Sequence, residues 1–151
     1  MPSLRQIKKL PFFPQELYEI VLDIESYPQF LAWCREARII SQDKHQIIGE
    51  LVIQFKGFSE KYQSRIIPKI QGENYIIEVD AISGPFKYLK NTWQISKEDY
   101  GSRVEFFIDF KLKSILLDKL MEIFFYKAVE KMTNEFANRA QAIYLTKTQS
   151  Q

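Results

Sequence analysis

The chain has few of the residues that form disulfides, metal centres and the commonest catalytic sites. Its single cysteine, Cys34, has no second thiol with which to form an internal disulfide or a cysteine-based metal site. Its single histidine, His45, lies in a polar, turn-like stretch and is the only histidine that could serve as a base. A Ser–His–Asp arrangement would need that same residue. We therefore expect a structural Cys34, no metal site, and a binding protein in place of an enzyme.

The chain also has little excess of one charge over the other, and it has no long apolar run. The 21 Lys and Arg residues against 19 Asp and Glu leave a formal net charge of +2, which is too small to favour DNA as a partner. No apolar run approaches the ~18 residues that a membrane-spanning helix needs. The first residues resemble neither a signal nor a transit peptide. We expect a cytoplasmic protein, with any membrane contact peripheral and on the inner face.

Aromatic residues are plentiful. They make up 15% of the 151 residues, with 12 Phe, 8 Tyr and 2 Trp, and this exceeds what a core of such a size usually needs. Some of them are therefore expected to line a site. The length suits one domain, which we place at residues 1–145, followed by a polar tail at 146–151 that should fray.

Hydrophobic periodicity predicts the secondary structure. Pro14 suits the first turn of a short helix, and Ser26 could cap a second, briefer helical turn. Apolar residues then alternate with polar ones in five strands, at 47–56, 61–70, 74–81, 87–97 and 102–113. From Ser114 the apolar spacing becomes helical for roughly thirty residues.

This order of elements indicates a fold class. One initial strand, two short helices, an antiparallel meander of about six strands and a long C-terminal helix make up the helix-grip, or START-like, α+β architecture. In that fold a curved antiparallel sheet wraps around the long helix, which at ~30 residues would be about 45 Å long and must cross the sheet diagonally.

Three sequence motifs resemble those of one family. Residues 27–34, Tyr-Pro-Gln-Phe-Leu-Ala-Trp-Cys, resemble the signature of the coenzyme-Q-binding START-like proteins, although the family commonly has proline where this chain has Ala32. Residues 84–86, followed by Leu89 and Trp93, resemble its second signature, and residues 105–110 its third. These proteins lie in the polyketide cyclase/dehydrase and lipid-transport superfamily, and bacterial members are also known as ribosome-association toxins.

The apolar faces of the sheet and the long helix predict a cavity between them. A concave sheet around a helix tends to leave space unless large side chains fill it, and such pockets are mostly apolar. The residues predicted to contact a ligand share this apolar orientation: Leu51, Ile53, Phe55, Trp93, Phe106, Ile108, Phe110, Phe124, Ala128 and Met132. Three polar residues are candidates for a ligand head group: Ser64, Tyr75 and Asn91.

One end of the sheet combines lysines with apolar loop tips. Because consecutive hairpin strands reverse direction, the loops at 57–60 and 82–86 and the junction at 113–116 fall at the same end. We predict that this end is the ligand entrance and faces an anionic membrane surface. Its predicted residues are Phe58, Phe86, Lys87, Lys90, Lys111, Lys113 and Leu116.

The resemblance implies the ligand, and it leaves alternatives open. Its leading implication is a chaperone or carrier of ubiquinone or a related lipid that supports respiratory or quinone-biosynthesis enzymes, with no other cofactor required. A second implication is a toxin that binds the large ribosomal subunit. A third is a polyketide cyclase, in which Tyr62, Arg65 or Tyr75 would polarise a carbonyl of the substrate.

Overall fold

A computed structural model describes residues 3–145, so the predicted tail at 146–151 lies outside the described residues. The chain starts with strand β1, helix α1 and a 3₁₀ helix, continues with six strands, and reaches a long helix, α2, that ends in one π turn. The bounds are β1 Ser3–Leu10, α1 Pro14–Leu22, the 3₁₀ helix Ile24–Gln29, β2 Cys34–Gln42, β3 Ile47–Phe55, β4 Phe58–Gln71, β5 Asn74–Ser83, β6 Phe86–Glu98, β7 Gly101–Leu112, α2 Ile115–Ala140 and the π turn Gln141–Leu145.

The sheet confirms the predicted helix-grip class. Within residues 3–145, seven strands form one antiparallel sheet in the order β1-β7-β6-β5-β4-β3-β2. Register shifts interrupt the β2–β3, β4–β5 and β6–β7 ladders, and such bulges bend a sheet and increase its twist. The curved sheet and the long C-terminal helix match the predicted α+β architecture.

The predicted meander of about six strands corresponds to β2–β7, although periodicity gave bounds for only five strands and none for β2. This strand lies at the edge of the sheet and pairs only with β3 among the described strands. Most of its residues are exposed, and beyond Cys34 only Ala37 and Ile39 are half-buried. An edge strand with so little burial gives a weak alternation of apolar and polar residues, which is why periodicity did not reveal it.

Helix α1 forms where Pro14 occupies its first turn and the Glu16 carboxylate accepts a hydrogen bond from the Phe13 N–H at 2.9 Å. Leu17, Ile20 and Val21 bury one face of it. The helix ends at Leu22, and the 3₁₀ helix that follows is held by the Tyr27 hydroxyl, which donates to the Val21 carbonyl.

Helix α2 is fixed at its start by two side chains. The Ser114 hydroxyl accepts from the Leu117 N–H at 3.2 Å, and the Asp118 carboxylate accepts from the Leu112 N–H at 3.0 Å. Its buried stripe consists of Phe125, Val129, Thr133, Phe136 and Ala140. Large apolar side chains near its start stay exposed, at Ile115, Leu116, Ile123 and Tyr126. Neither this helix nor any other within residues 3–145 is long and apolar enough to cross a membrane.

Candidate functional site

An apolar cavity of about 220 Å³, the outer cavity, lies between the sheet and the N-terminal half of α2. The sheet contributes residues from β3, β4, β6 and β7, and the helix contributes residues from its first five turns. The lining residues are Trp33, Ile53, Gln54, Phe55, Phe58, Glu60, Tyr62, Pro85, Phe86, Leu89, Ile108, Phe110, Leu112, Leu117, Leu120, Met121, Phe125, Ala128, Val129 and Met132. Such a lining suits a hydrophobic ligand better than a polar one.

A row of aromatic rings forms one wall of the outer cavity. Tyr62 packs edge-on against Phe86 at 5.2 Å between centroids, Phe86 against Phe110 at 5.8 Å, and Phe110 against Phe125 of α2 at 5.2 Å. Edge-to-face contacts of this kind are favourable, so the rings are held by one another along the wall. The space beside them therefore stays open.

A second, smaller cavity of about 110 Å³, the inner cavity, adjoins the first. The two share a partition that consists of Trp33, Tyr62, Leu89, Ile108 and Met132. The inner cavity has a more polar lining, which includes Tyr27, Ser64 and Asn91. The site is thus an apolar chamber with a smaller, partly polar compartment behind it.

Nine of the ten predicted ligand-contact residues line at least one of the two cavities. Ile53, Phe55, Ile108, Phe110, Ala128 and Met132 line the outer cavity, and Leu51, Trp93 and Phe106 line the inner one together with Ile108 and Met132. Phe124 is outside both linings in the described part of the chain. Its ring packs on Phe55 at 5.9 Å and lies under the Lys56 ammonium at 4.7 Å. Ligand contact itself stays a prediction.

The three residues predicted to contact a ligand head group do not lie in one place. Ser64 and Asn91 line the inner cavity. The Asn91 side chain is already paired, because its amide donates to the Phe107 carbonyl at 2.8 Å and its oxygen accepts from the Trp93 indole at 3.1 Å. Tyr75 packs instead against Tyr18 of α1 at 5.0 Å and borders a surface depression with Ile70.

The predicted cyclase residues do not meet. Tyr62 lines both cavities, but Arg65 is exposed and, like Tyr75, is absent from either lining in residues 3–145. Burial raises the pKa of the Tyr62 and Tyr27 hydroxyls well above the usual range. Both hydroxyls are therefore neutral hydrogen-bonding groups at physiological pH.

The two other residues considered for catalysis, Cys34 and His45, also lie outside both cavity linings in residues 3–145. Cys34 is only 3% exposed, and burial raises the pKa of its thiol to about 11. His45 lies in an exposed turn, where the Asp43 carboxylate accepts from the His45 and Gln46 N–H groups at 2.7 and 2.9 Å. Across residues 3–145, no three His, Cys, Asp or Glu side chains converge into a metal-binding group.

Sequence periodicity missed several lining residues. Leu89 and Val129 follow the strand and helix periods and could have been included. Trp33 carries no such signal, because it lies in the loop between the 3₁₀ helix and β2. Only the tertiary fold brings that loop between β3 and α2.

The three loops of the predicted entrance meet at one end of the outer cavity. The Lys113 N–H donates to the Pro85 carbonyl at 2.8 Å and joins the β7–α2 junction to the β5–β6 turn. Gly84, at φ +110°, lies so close to β4 that a Cβ would be 2.4 Å from the Tyr62 Cβ, so this turn requires glycine. Phe58 and Phe86 line the cavity here, Phe58 is 38% exposed, and Leu116 beside them is 75% exposed. We call this end, bounded by 56–58, 84–86 and 113–117, the mouth.

Lysines lie both at the mouth and on the back of the sheet. Lys113 lies at the junction, and the Lys56 ammonium lies over Phe124 beside the cavity. Lys90 and Lys111 alternate with the buried Leu89, Phe110 and Leu112, so their side chains project from the convex face. Lys87 lies at the register shift between Phe86 and Tyr88, next to the mouth. The role of these lysines at an entrance stays a prediction.

Comparisons with known proteins agree with this architecture. The model of the family described as polyketide cyclase/dehydrase and lipid transport matches residues 10–137. The ribosome association toxin RatA of Rickettsia prowazekii (strain Madrid E) is 50% identical over 144 residues, 95% of this chain and 99% of that protein. The mitochondrial coenzyme Q-binding protein COQ10 homolog B of Xenopus laevis is 30% identical over 91% of this chain, which corresponds to 57% of that protein. The solution structure of an 18 kDa protein of Caulobacter crescentus is 32% identical, with a TM-score of 0.76 and coverage of 95% and 99% of the two chains.

Proposed function

Because the chain belongs to the polyketide cyclase/dehydrase and lipid-transport family, we propose that it is a non-enzymatic binding protein for a hydrophobic molecule. The ligand that we propose is ubiquinone or a related lipid, carried for respiratory or quinone-biosynthesis enzymes. The observation that carries the proposal is the outer cavity, whose lining contains no Lys or Arg among the described residues and is apolar almost throughout. The coenzyme Q-binding relative supports the choice of a quinone.

The size of the cavity limits how such a ligand can be held. An apolar cavity of roughly 150 Å³ binds benzene, so about 220 Å³ accommodates one substituted ring with a short part of its tail. The rest of a polyprenyl tail would leave through the mouth, where Phe58 and Leu116 are exposed. Burial of apolar surface stabilises the complex by roughly 25 cal/mol per Å².

The mouth also suits contact with a membrane. Its exposed apolar side chains, Phe58, Ile115 and Leu116, lie beside Lys56 and Lys113. Apolar groups that enter the head-group region, together with cations that attract anionic lipids, are typical of peripheral membrane binding. A ligand could thus pass between bilayer and cavity with little exposure to water.

Ligand binding can be tested with a variant that fills the cavity. We expect the purified protein to bind a benzoquinone with a ten-carbon tail in isothermal titration calorimetry, and Ala128→Phe to weaken that binding by at least about tenfold, since the new ring occupies the ligand's space. Ala142→Phe is the matched control, because Ala142 is exposed beyond α2. Unchanged binding by Ala128→Phe, or no binding by the wild type, would refute the proposal.

A second candidate function is association with the ribosome. It is favoured by the 50% identity with a ribosome association toxin over nearly the full length of both chains. With a net charge of +2, contact with ribosomal RNA would depend on local lysines and should weaken steeply with salt. Co-sedimentation with ribosomal subunits at two salt concentrations tests it, and Ala128→Phe should leave it unchanged because the outer surface is intact.

A further inference from the structure

The indole N–H of Trp33 is a buried donor without an acceptor. Its nitrogen is closed off from solvent and has no hydrogen-bond partner among the described residues. The other tryptophan, Trp93, donates to Asn91 at 3.1 Å. Since most buried polar side-chain atoms in proteins are hydrogen-bonded, the unpaired Trp33 nitrogen requires an explanation.

Trp33 occupies the partition between the two cavities, and its backbone is held from both sides. The Trp33 carbonyl accepts from the Gln54 N–H of β3 at 2.8 Å. The preceding Ala32 N–H donates to the Glu135 carboxylate of α2 at 3.1 Å. This loop therefore keeps the indole in the gap between sheet and helix, where it borders both the outer and the inner cavity.

The chemistry of the site defines what this donor can bind. An indole N–H only donates, so its partner must be an acceptor such as a carbonyl or ether oxygen. The linings of both cavities contain no Lys or Arg among residues 3–145, and Glu60 lies on the outer one. A carboxylate ligand would be left without a counter-ion in apolar surroundings, at a high desolvation cost. The acceptor must therefore belong to an uncharged group.

We propose that Trp33 is the head-group donor of the site and that it selects neutral, oxygen-bearing lipids over plain hydrocarbons and fatty-acid anions. Because this nitrogen is closed off in the ligand-free protein, side chains of the partition move aside as the ligand enters. A carbonyl oxygen of the ligand then accepts from Trp33 Nε1, and the tail lies in the outer cavity towards the mouth. This inference rests on the proposed function and adds the feature of the ligand that is recognised.

The test compares two ligands of equal tail length, a benzoquinone and a benzene that each carry a ten-carbon chain. We expect Trp33→Phe to weaken quinone binding by about tenfold, the effect of one lost hydrogen bond, and to change hydrocarbon binding by less than about threefold. In an ¹H–¹⁵N spectrum the two tryptophans give two indole signals, and the signal lost in Trp33→Phe identifies Trp33. Quinone binding should move that signal downfield, while the benzene analogue should not.

Two outcomes would overturn the inference while leaving the proposed function in place. One is equal binding of both ligands by the wild type, unaffected by Trp33→Phe. The other involves Glu135, whose second carboxylate oxygen is also buried without a partner among the described residues. If Glu135→Gln moves the Trp33 indole signal and the quinone does not, the indole donates to the protein itself. If the wild type binds neither ligand, both the function and the inference fail.

Discussion

The two halves of α2 lie on the same sheet and differ in how the space beneath them is filled. Under the C-terminal half, Phe136 packs edge-on against Trp93, Phe30 and Tyr27 at 5.0, 5.2 and 5.5 Å. Trp93 in turn packs against Phe106 at 4.8 Å. We call this cluster of five rings the closed end, although four of them, all but Phe30, border the smaller inner cavity. Under the N-terminal half lies the outer cavity, the open end.

The difference teaches that side-chain size, more than architecture, creates the cavity. At the closed end one phenylalanine of the helix reaches across to rings from the sheet and the 3₁₀ helix. At the open end the helix presents Ala128, which is too short to reach the sheet, and the flexible Met121 and Met132. Phe125 of the helix meets Phe110 of β7 at one wall, and the gap beside this contact stays open.

The largest expected effect is the loss of Phe136. Phe136→Ala should lower the free energy of unfolding by about 3 to 5 kcal/mol, because it removes the ring on which the closed end packs. Met121→Ala at the open end should cost about 2 kcal/mol or less, since the side chain already borders empty space. Urea denaturation of both variants measures the difference. Equal losses would mean that the two ends are packed alike.

Adding a ring should have opposite consequences at the two ends. Ala140 is fully buried at the closed end, so Ala140→Phe should cost about 1 to 3 kcal/mol of stability by overpacking. Ala128→Phe can place its ring in the outer cavity and should change stability by less than about 1 kcal/mol. Thermal unfolding of the pair provides the measurement. A comparable loss in both variants would show that the open end has no usable space.

Two pairs of lysines can be compared for membrane binding. Lys56→Glu with Lys113→Glu reverses two charges at the mouth, whereas Lys90→Glu with Lys111→Glu reverses two on the convex face. At about 1 kcal/mol for each lysine near an anionic surface, the mouth pair should weaken vesicle binding on the order of 30-fold, and the convex pair much less. Co-sedimentation with vesicles rich in anionic lipid, at low and high salt, measures both. Greater loss in the convex pair would place the docking surface behind the sheet.

Sequence patterns predicted the elements of the fold well because burial is periodic along them. Alternation in β7, where Val104, Phe106 and Phe110 are buried, and the helical stripe of α2 each depend on local geometry. The edge strand β2 lacked that periodic burial and was missed. The order of these elements indicated the helix-grip class, and the family resemblance added the possible ligands, which periodicity alone does not contain.

The candidate site was less predictable for a physical reason. Sequence patterns indicate which face of an element is apolar, but a cavity depends on whether side chains from different elements meet across it. Leu51 and Phe55 share one face of β3, yet they line different cavities. Trp33 reaches the partition only because β3 and α2 both hold its loop. Hydrophobic periodicity, which is a local signal, does not indicate such long-range placement.

The smallest expected effect is that of substituting Cys34. This residue has no partner for a catalytic role, and it is absent from the linings of both cavities in residues 3–145. Burial raises the pKa of its thiol to about 11, so at pH 8 the thiol is neutral, and alkylation by iodoacetamide should be slow and should accelerate as the pH approaches that value. Cys34→Ser should bind the quinone with unchanged affinity and lose about 1 kcal/mol of stability at most. The urea-unfolded wild type, whose thiol is exposed, serves as the control for alkylation. Rapid alkylation of the folded protein at pH 8, or lost quinone binding in a folded Cys34→Ser variant, would show that this thiol is reactive or contributes to the site.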